Sequence, residues 1–125
     1  MDTHYACLPD LALGPRGEVV ITSNIVPTLW RIDPETLAVS MHPLVLEADT
    51  GKDVGFSGLV YSSEHGAFFA VSDPHGSLWR IDAPFTSARK IPLSAPIANQ
   101  RSDYRGAPSC TDRSSLLNAV SVKGG

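Results

Sequence analysis

The chain has 125 residues, 42% of them hydrophobic and 18% charged, and a net charge of −3 at pH 7. These values are typical of a globular domain and give no reason to expect nucleic acid as a partner. No apolar run reaches the ~20 residues of a membrane span, and residues 1–5 lack the basic start of a signal peptide. The chain as written is therefore expected in the cytoplasm, or in the periplasm or secreted if its native N-terminus lies upstream.

Strand patterns begin at residue 10. The short apolar run 10–13 is closed by a turn rich in glycine and proline at 14–17. The β-branched run 18–23 predicts a strand buried on both faces. Residues 28–33 form the third predicted strand, and residues 38–42 form a weaker fourth strand, which is typical of a sheet edge.

The same plan then returns. The pentapeptide Leu29-Trp30-Arg31-Ile32-Asp33 recurs 49 residues later at positions 78–82, without a gap. Around it, the segments 58–62, 67–72, 77–82 and 88–93 predict four more strands. No segment of ten or more residues has a convincing helical period. A repeat of this length indicates one structural unit stacked beside a copy of itself.

Four short antiparallel strands per 40–50-residue repeat are typical of a β-propeller blade. The pattern in residues 58–61, 66–73 and 76–82, which reads GLVY, GAFFAVSD and GSLWRID, resembles the blades of NHL-repeat, gluconolactonase-like and phytase-like propellers. The resemblance covers residues 9–93. It implies an all-β propeller fragment with four-stranded blades at 9–44 and 58–93, a connector at 45–57 and an irregular tail at 94–125.

Two blades do not close a propeller, which needs about four or more. The predicted partners are therefore the remaining blades of a longer propeller, or other copies joined through open blade faces. Residues 119–121 match 70–72 at the same offset of 49, so the tail is also considered as half of a third blade, with a short strand near 116–121. Trp30 and Trp79 are expected in equivalent environments.

Positions that differ between the repeats are the first candidates for function. Asp73 and His75 replace neutral residues in the loop after the second predicted strand, and Asn24 occupies the corresponding loop of the first copy. With Asp10, these side chains are the predicted ligand-binding set, and His75 has the chemistry of a base or a metal ligand. The repeated Trp-Arg-Ile-Asp motif is instead predicted to serve packing between blades and turn capping, because a site used once should not recur in every repeat.

A second candidate is the acidic connector. Glu47, Asp49 and Asp53 lie within seven residues, and calcium favours such oxygen-rich loops, although their spacing does not fit the twelve-residue calcium loop. No other cofactor is indicated. Cys7 and Cys110 lack the paired spacing of a zinc site.

Two functions remain open from the sequence. The first is a non-enzymatic binding or scaffold module of the propeller type. The alternative is a metal-dependent hydrolase of the lactonase or phytase-like kind, which the resemblance also allows. We expect no enzymatic activity from the isolated chain, and no catalytic residue is predicted.

Overall fold

The computed structural model describes residues 10–23, 26–47, 55–72, 76–93 and 113–123, and within the last range the side chains of residues 116–121. The described residues form two β-sheets, antiparallel except for one parallel strand pair, and one helix. The elements are β1 Leu11–Leu13, β2 Val19–Thr22, β3 Thr28–Ile32, β4 Val39–Pro43, β5 Val45–Leu46, β6 Gly58–Ser62, β7 Ala67–Ser72, β8 Ser77–Ile81, β9 Ser87–Ile91 and α1 Arg113–Lys123. The prediction of β-structure in both repeats is confirmed.

Sheet 1 contains β1 to β4 in chain order, with every neighbouring pair antiparallel. The first hairpin turns at Gly17, whose φ of +84° lies in the left-handed region that glycine occupies without strain. Gly66 has the same role in the first hairpin of the second repeat, at φ +66°. The turn glycines recognised in the sequence therefore lie where the chain must reverse.

Sheet 2 has the order β5-β9-β8-β7-β6, and neither sheet closes on itself. Its fifth strand was not predicted: β5 comes from the connector and pairs in parallel with β9. The amide of Val45 donates to Thr86 O at 2.9 Å, and the amide of Glu47 donates to Ala88 O at 2.9 Å. The chain thus leaves the β4 edge of sheet 1 and runs along the outer edge of sheet 2, which ties the two sheets together.

The two sheets have nearly the same register. The β2–β3 and β3–β4 pairings recur in β7–β8 and β8–β9 at the sequence offset of 49 residues. The β1–β2 pairing differs by one residue: Leu11 pairs with Ile21, whereas Leu59 pairs with Ala70. Strand β6 is therefore offset from β1 by 48 residues, because the chain from Tyr61 to Phe68 is one residue longer than the equivalent stretch from Leu13 to Val19.

The two sheets pack face to face, and α1 packs on the far face of sheet 2. The inner face of sheet 1, which carries Ala12, Val20 and Leu29, packs with the face of sheet 2 that carries Ala70 and Trp79. The opposite face of sheet 2 packs against α1 in a second core. Sheet 2 is therefore covered on both faces. Sheet 1 is covered by described residues on one face only, so β2 is half-buried where full burial was predicted, whereas β7 is buried throughout.

The prediction for the tail was wrong where the structure describes it. Residues 113–123 form α1, and no strand lies near 116–121. Leu116 and Val120 are buried against sheet 2, and their spacing of four residues places both on one side of a helix. The match of residues 119–121 to strand β7 reflected a shared composition and not a third blade. Within the described residues, no helix is long and apolar enough to span a membrane.

The expectation of equivalent tryptophans was wrong in one respect. Trp30 and Trp79 occupy matching ladder positions, paired with Ile21 and with Ala70. Trp79 is fully buried, but Trp30 is 39% exposed. The difference follows from the stacking order, because sheet 1 covers the ring of Trp79 and no described element covers that of Trp30.

Candidate functional site

Most of the predicted ligand-binding set lies outside the described residues, namely Asn24, Asp73 and His75. Asp10 is described, and its carboxylate bridges the two repeats. Oδ1 accepts from the amide of Leu11 at 2.8 Å, and Oδ2 accepts from the amide of Leu59 at 3.1 Å. The bond from Leu59 links the start of β1 to β6 of the other sheet, whereas the bond from Leu11 is local. The proposed ligand-binding role of Asp10 stays a prediction.

Most carboxylates of the acidic connector also lie outside the described residues. Asp49 and Asp53 lie outside the described residues, and Glu47 has an exposed side chain on the strand edge beside β9. Among the described residues, no cluster of three or more histidine, cysteine, aspartate or glutamate side chains could hold a metal ion.

A cleft of about 350 Å³, which we call the rim cleft, lies between the two sheets. It is bounded by the β1–β2 turn of sheet 1 and by the β6–β7 and β8–β9 turns of sheet 2. Apolar walls are supplied by Tyr61, Phe68, Ile81 and Phe85, and the charged groups are Arg16, Glu18 and Arg31. The cleft therefore combines a hydrophobic body with a small charged patch.

Phe85 is the centre of this site. It has a left-handed backbone at φ +66°, which is unusual for an aromatic residue, and its amide donates to Asp82 O at 2.9 Å. This turn places the ring between the sheets, edge-on to Phe68 at 5.9 Å and to His42 at 5.8 Å. Strained backbone of this kind is found where a side chain must be presented in one direction. Here it directs the ring toward sheet 1.

Arg31 approaches the same ring from sheet 1. Its guanidinium carbon lies 4.9 Å from the centre of the Phe85 ring, within the range of a cation–π contact. Its Nη2 lies 3.8 Å from Oε2 of Glu18, which is an ion pair too long for a hydrogen bond. Its Nε is buried and has no hydrogen-bond partner among the described residues. A guanidinium carries five N–H donors, so this one retains unused capacity.

Glu18, beside Arg31, is buried and accepts a backbone hydrogen bond. Its side chain is 5% exposed, and Oε1 accepts from the amide of Arg16 at 2.9 Å. The carboxylate lies so close to Gly14 that a Cβ there would collide with it. The hairpin turn thus fixes the carboxylate beside Arg31. In the second repeat Ala67 occupies the equivalent position, so this acid belongs to one repeat only.

The repeated arginine has different contacts in the two sheets. Arg80, the counterpart of Arg31, donates from Nε to both carboxylate oxygens of Asp82, at 3.3 and 3.2 Å, and from Nη2 to His65 O at 3.2 Å. Asp33 instead accepts from the amides of its own turn, as predicted for a capping residue. Because Asp33 accepts from its own turn, the guanidinium of Arg31 lines the rim cleft instead.

His42 lies behind the aromatic wall, where burial and then the nearby charge of Arg31 lower its pKa below the usual 6.5. Both effects disfavour the imidazolium form. The pKa of His42 is therefore sensitive to the charge of Arg31.

Sequence reasoning missed the rim cleft, because Arg31 and Phe85 are distant in the chain and meet only through sheet stacking. The one available signal was the Glu18 to Ala67 difference between the repeats. Comparison of the chain with family models, with curated proteins and with solved structures finds no match. The chemistry of the cleft is therefore the basis for assigning a function.

Proposed function

We propose that the protein is a non-enzymatic binding module of the β-propeller type, and that the rim cleft is its ligand site. The repeated register and the stacking of one sheet on the next support the blade interpretation. The observation that carries the binding proposal is the guanidinium of Arg31, which lines the cleft, is held over Phe85 and has a side chain that is 24% exposed.

The lining indicates the class of ligand. Arg16 and Arg31 outnumber Glu18, so the charged patch carries a net charge of +1 and favours an anion. A guanidinium pairs with a carboxylate through two parallel N–H donors. The aromatic and aliphatic walls suit an apolar body next to that carboxylate. We therefore propose a small monocarboxylate with an aromatic or aliphatic body as the ligand class.

Benzoate, benzamide and benzylamine test this class, because they share a ring and differ in charge. At about 0.5 kcal/mol per non-hydrogen atom, benzoate would bind with a Kd of about 1 mM. We expect saturable binding of benzoate and weaker binding of the other two, measured from amide chemical-shift changes in NMR titrations. The shifts should centre on Arg31 and Phe85.

The repeat provides a matched control for mutation. Arg31→Gln should weaken benzoate binding roughly 10- to 100-fold, the usual contribution of hydrogen bonds to a charged group. Arg80→Gln removes the same side chain from the other repeat and should leave the affinity unchanged. Equal affinity in wild type and Arg31→Gln, or equal binding of benzoate and benzylamine, would contradict the proposal.

A further inference from the structure

The outer face of sheet 1 is apolar across all four strands. Backbone pairing places its side chains in two rows, Leu11-Ile21-Trp30-Met41 and Leu13-Val19-Ile32-Val39. Leu11, Leu13, Val39 and Met41 are each more than half exposed, and no position in either row is charged. A contiguous apolar surface of this extent marks an interaction site.

The second repeat shows what such a face contacts. Its equivalent rows are Leu59-Ala70-Trp79-Lys90 and Tyr61-Phe68-Ile81. Leu59, Ala70 and Trp79 are fully buried there, against the inner face of sheet 1. The internal sheet–sheet interface is thus a template, in which a tryptophan-bearing face packs on a face with apolar residues at the positions of Ala12, Val20 and Leu29.

Within the described part of the chain, one other face is of that second kind. By the same register, Ala12, Val20 and Leu29 correspond to Val60, Phe69 and Leu78 on the far face of sheet 2. That face is covered by α1 through Leu116 and Val120. The helix therefore lies where the next sheet of a stack would pack.

We propose that a second copy of this chain occupies the outer face of sheet 1, in head-to-tail association. The Phe69 face of one copy packs on the Trp30 face of the next, as sheet 1 packs on sheet 2 within the chain. Helix α1 opposes the association, because it must leave the Phe69 face first. An interface between unlike faces extends to a ring or a filament according to its rotation.

Helix α1 is the first element to test. Leu116→Asp places a charge at a fully buried contact and should release the helix, whereas Leu117→Asp changes a residue that is 48% exposed. We expect Leu116→Asp to raise the molar mass measured by sedimentation velocity, and Leu117→Asp to leave it at the wild-type value. Val120→Asp replaces Leu116→Asp if circular dichroism shows that the latter does not fold.

The outer face is tested by substitutions at two positions of similar exposure. Leu11 and Met41 are 53% and 54% exposed, but their counterparts in sheet 2 are the buried Leu59 and a lysine, Lys90. In the Leu116→Asp background, Leu11→Lys should therefore abolish association and Met41→Lys should be tolerated. Association that survives Leu11→Lys, or that both lysines abolish equally, overturns the proposed packing.

A mixing experiment separates head-to-tail packing from a two-fold dimer of outer faces. The Leu11→Lys/Leu116→Asp double variant has a blocked outer face and a released Phe69 face, while the wild type has an open outer face and a covered Phe69 face. Their mixture should give complexes of one copy each, at a concentration where neither associates alone. A wild-type dimer that is insensitive to Leu116→Asp, or a mixture that remains monomeric, would refute the inference.

Discussion

The two tryptophans of the repeated pentapeptide provide the sharpest test of the stacking order. A fully buried indole removes about 200 Å² from water, which at about 25 cal/mol/Å² amounts to about 5 kcal/mol. Trp79 is fully buried, whereas Trp30 keeps 39% of its surface exposed, so the same count gives about 3 kcal/mol for Trp30. We therefore expect Trp79→Ala to lower the free energy of unfolding by about 2 kcal/mol more than Trp30→Ala.

Urea denaturation followed by circular dichroism measures both values, at a concentration where sedimentation shows a monomer. That condition matters because association would bury Trp30 and raise its cost. Trp79 Nε1 is buried without a hydrogen-bond partner among the described residues, so Trp79→Phe removes an unpaired donor and should cost less than Trp79→Ala. If the monomer lost the same stability at both tryptophans, sheet 1 would not be the uncovered end of the stack.

Three further outcomes follow from the electrostatics and the hydrogen bonds. Arg31→Gln should raise the pKa of His42 toward 6.5 in an NMR titration, because it removes the charge that adds to burial in lowering it. Hydrogen bonds from backbone amides lower the pKa of Asp33 below 3.8, so its contribution to stability is present above about pH 3.8 and is lost as the pH falls through the lowered pKa. Asp33→Asn should accordingly flatten the acid limb of the stability profile measured by urea denaturation. Asp10→Ala should lower the free energy of unfolding by roughly 1.5–3 kcal/mol through the lost bond to the amide of Leu59, and added calcium should not change that loss.

The strands of both repeats were predictable because local chemistry determines them. Runs of β-branched residues between turn glycines specify β2 and its neighbours, and the gapless repeat transfers the assignment from one sheet to the other. Gly17 and Gly66 lie at left-handed positions that few other residues tolerate. These features are encoded within a few residues and do not depend on how the sheets meet.

The helix was missed for a physical reason. Among the described side chains of α1, Leu116 and Val120 are buried, and they stabilise the helix by packing on sheet 2, which a pattern along the chain does not contain. Strand β5 was missed likewise, because two residues become a strand only beside the edge of β9. The prediction of four strands in the second sheet was therefore one too few.

The rim cleft corrects the reasoning that a repeated residue must be structural. Arg31 and Arg80 share a motif and an equivalent position in their sheets, and Arg31 packs on Phe85 of the other sheet. Yet Arg80 donates to Asp82, whereas Asp33 accepts from its own turn, and the Nε of Arg31 has no hydrogen-bond partner among the described residues. The repeat determines the backbone position of the arginine in each sheet. What that side chain can bind depends on the neighbours in which the copies differ, and here those are the Glu18 carboxylate and the aromatic turn of the adjacent sheet.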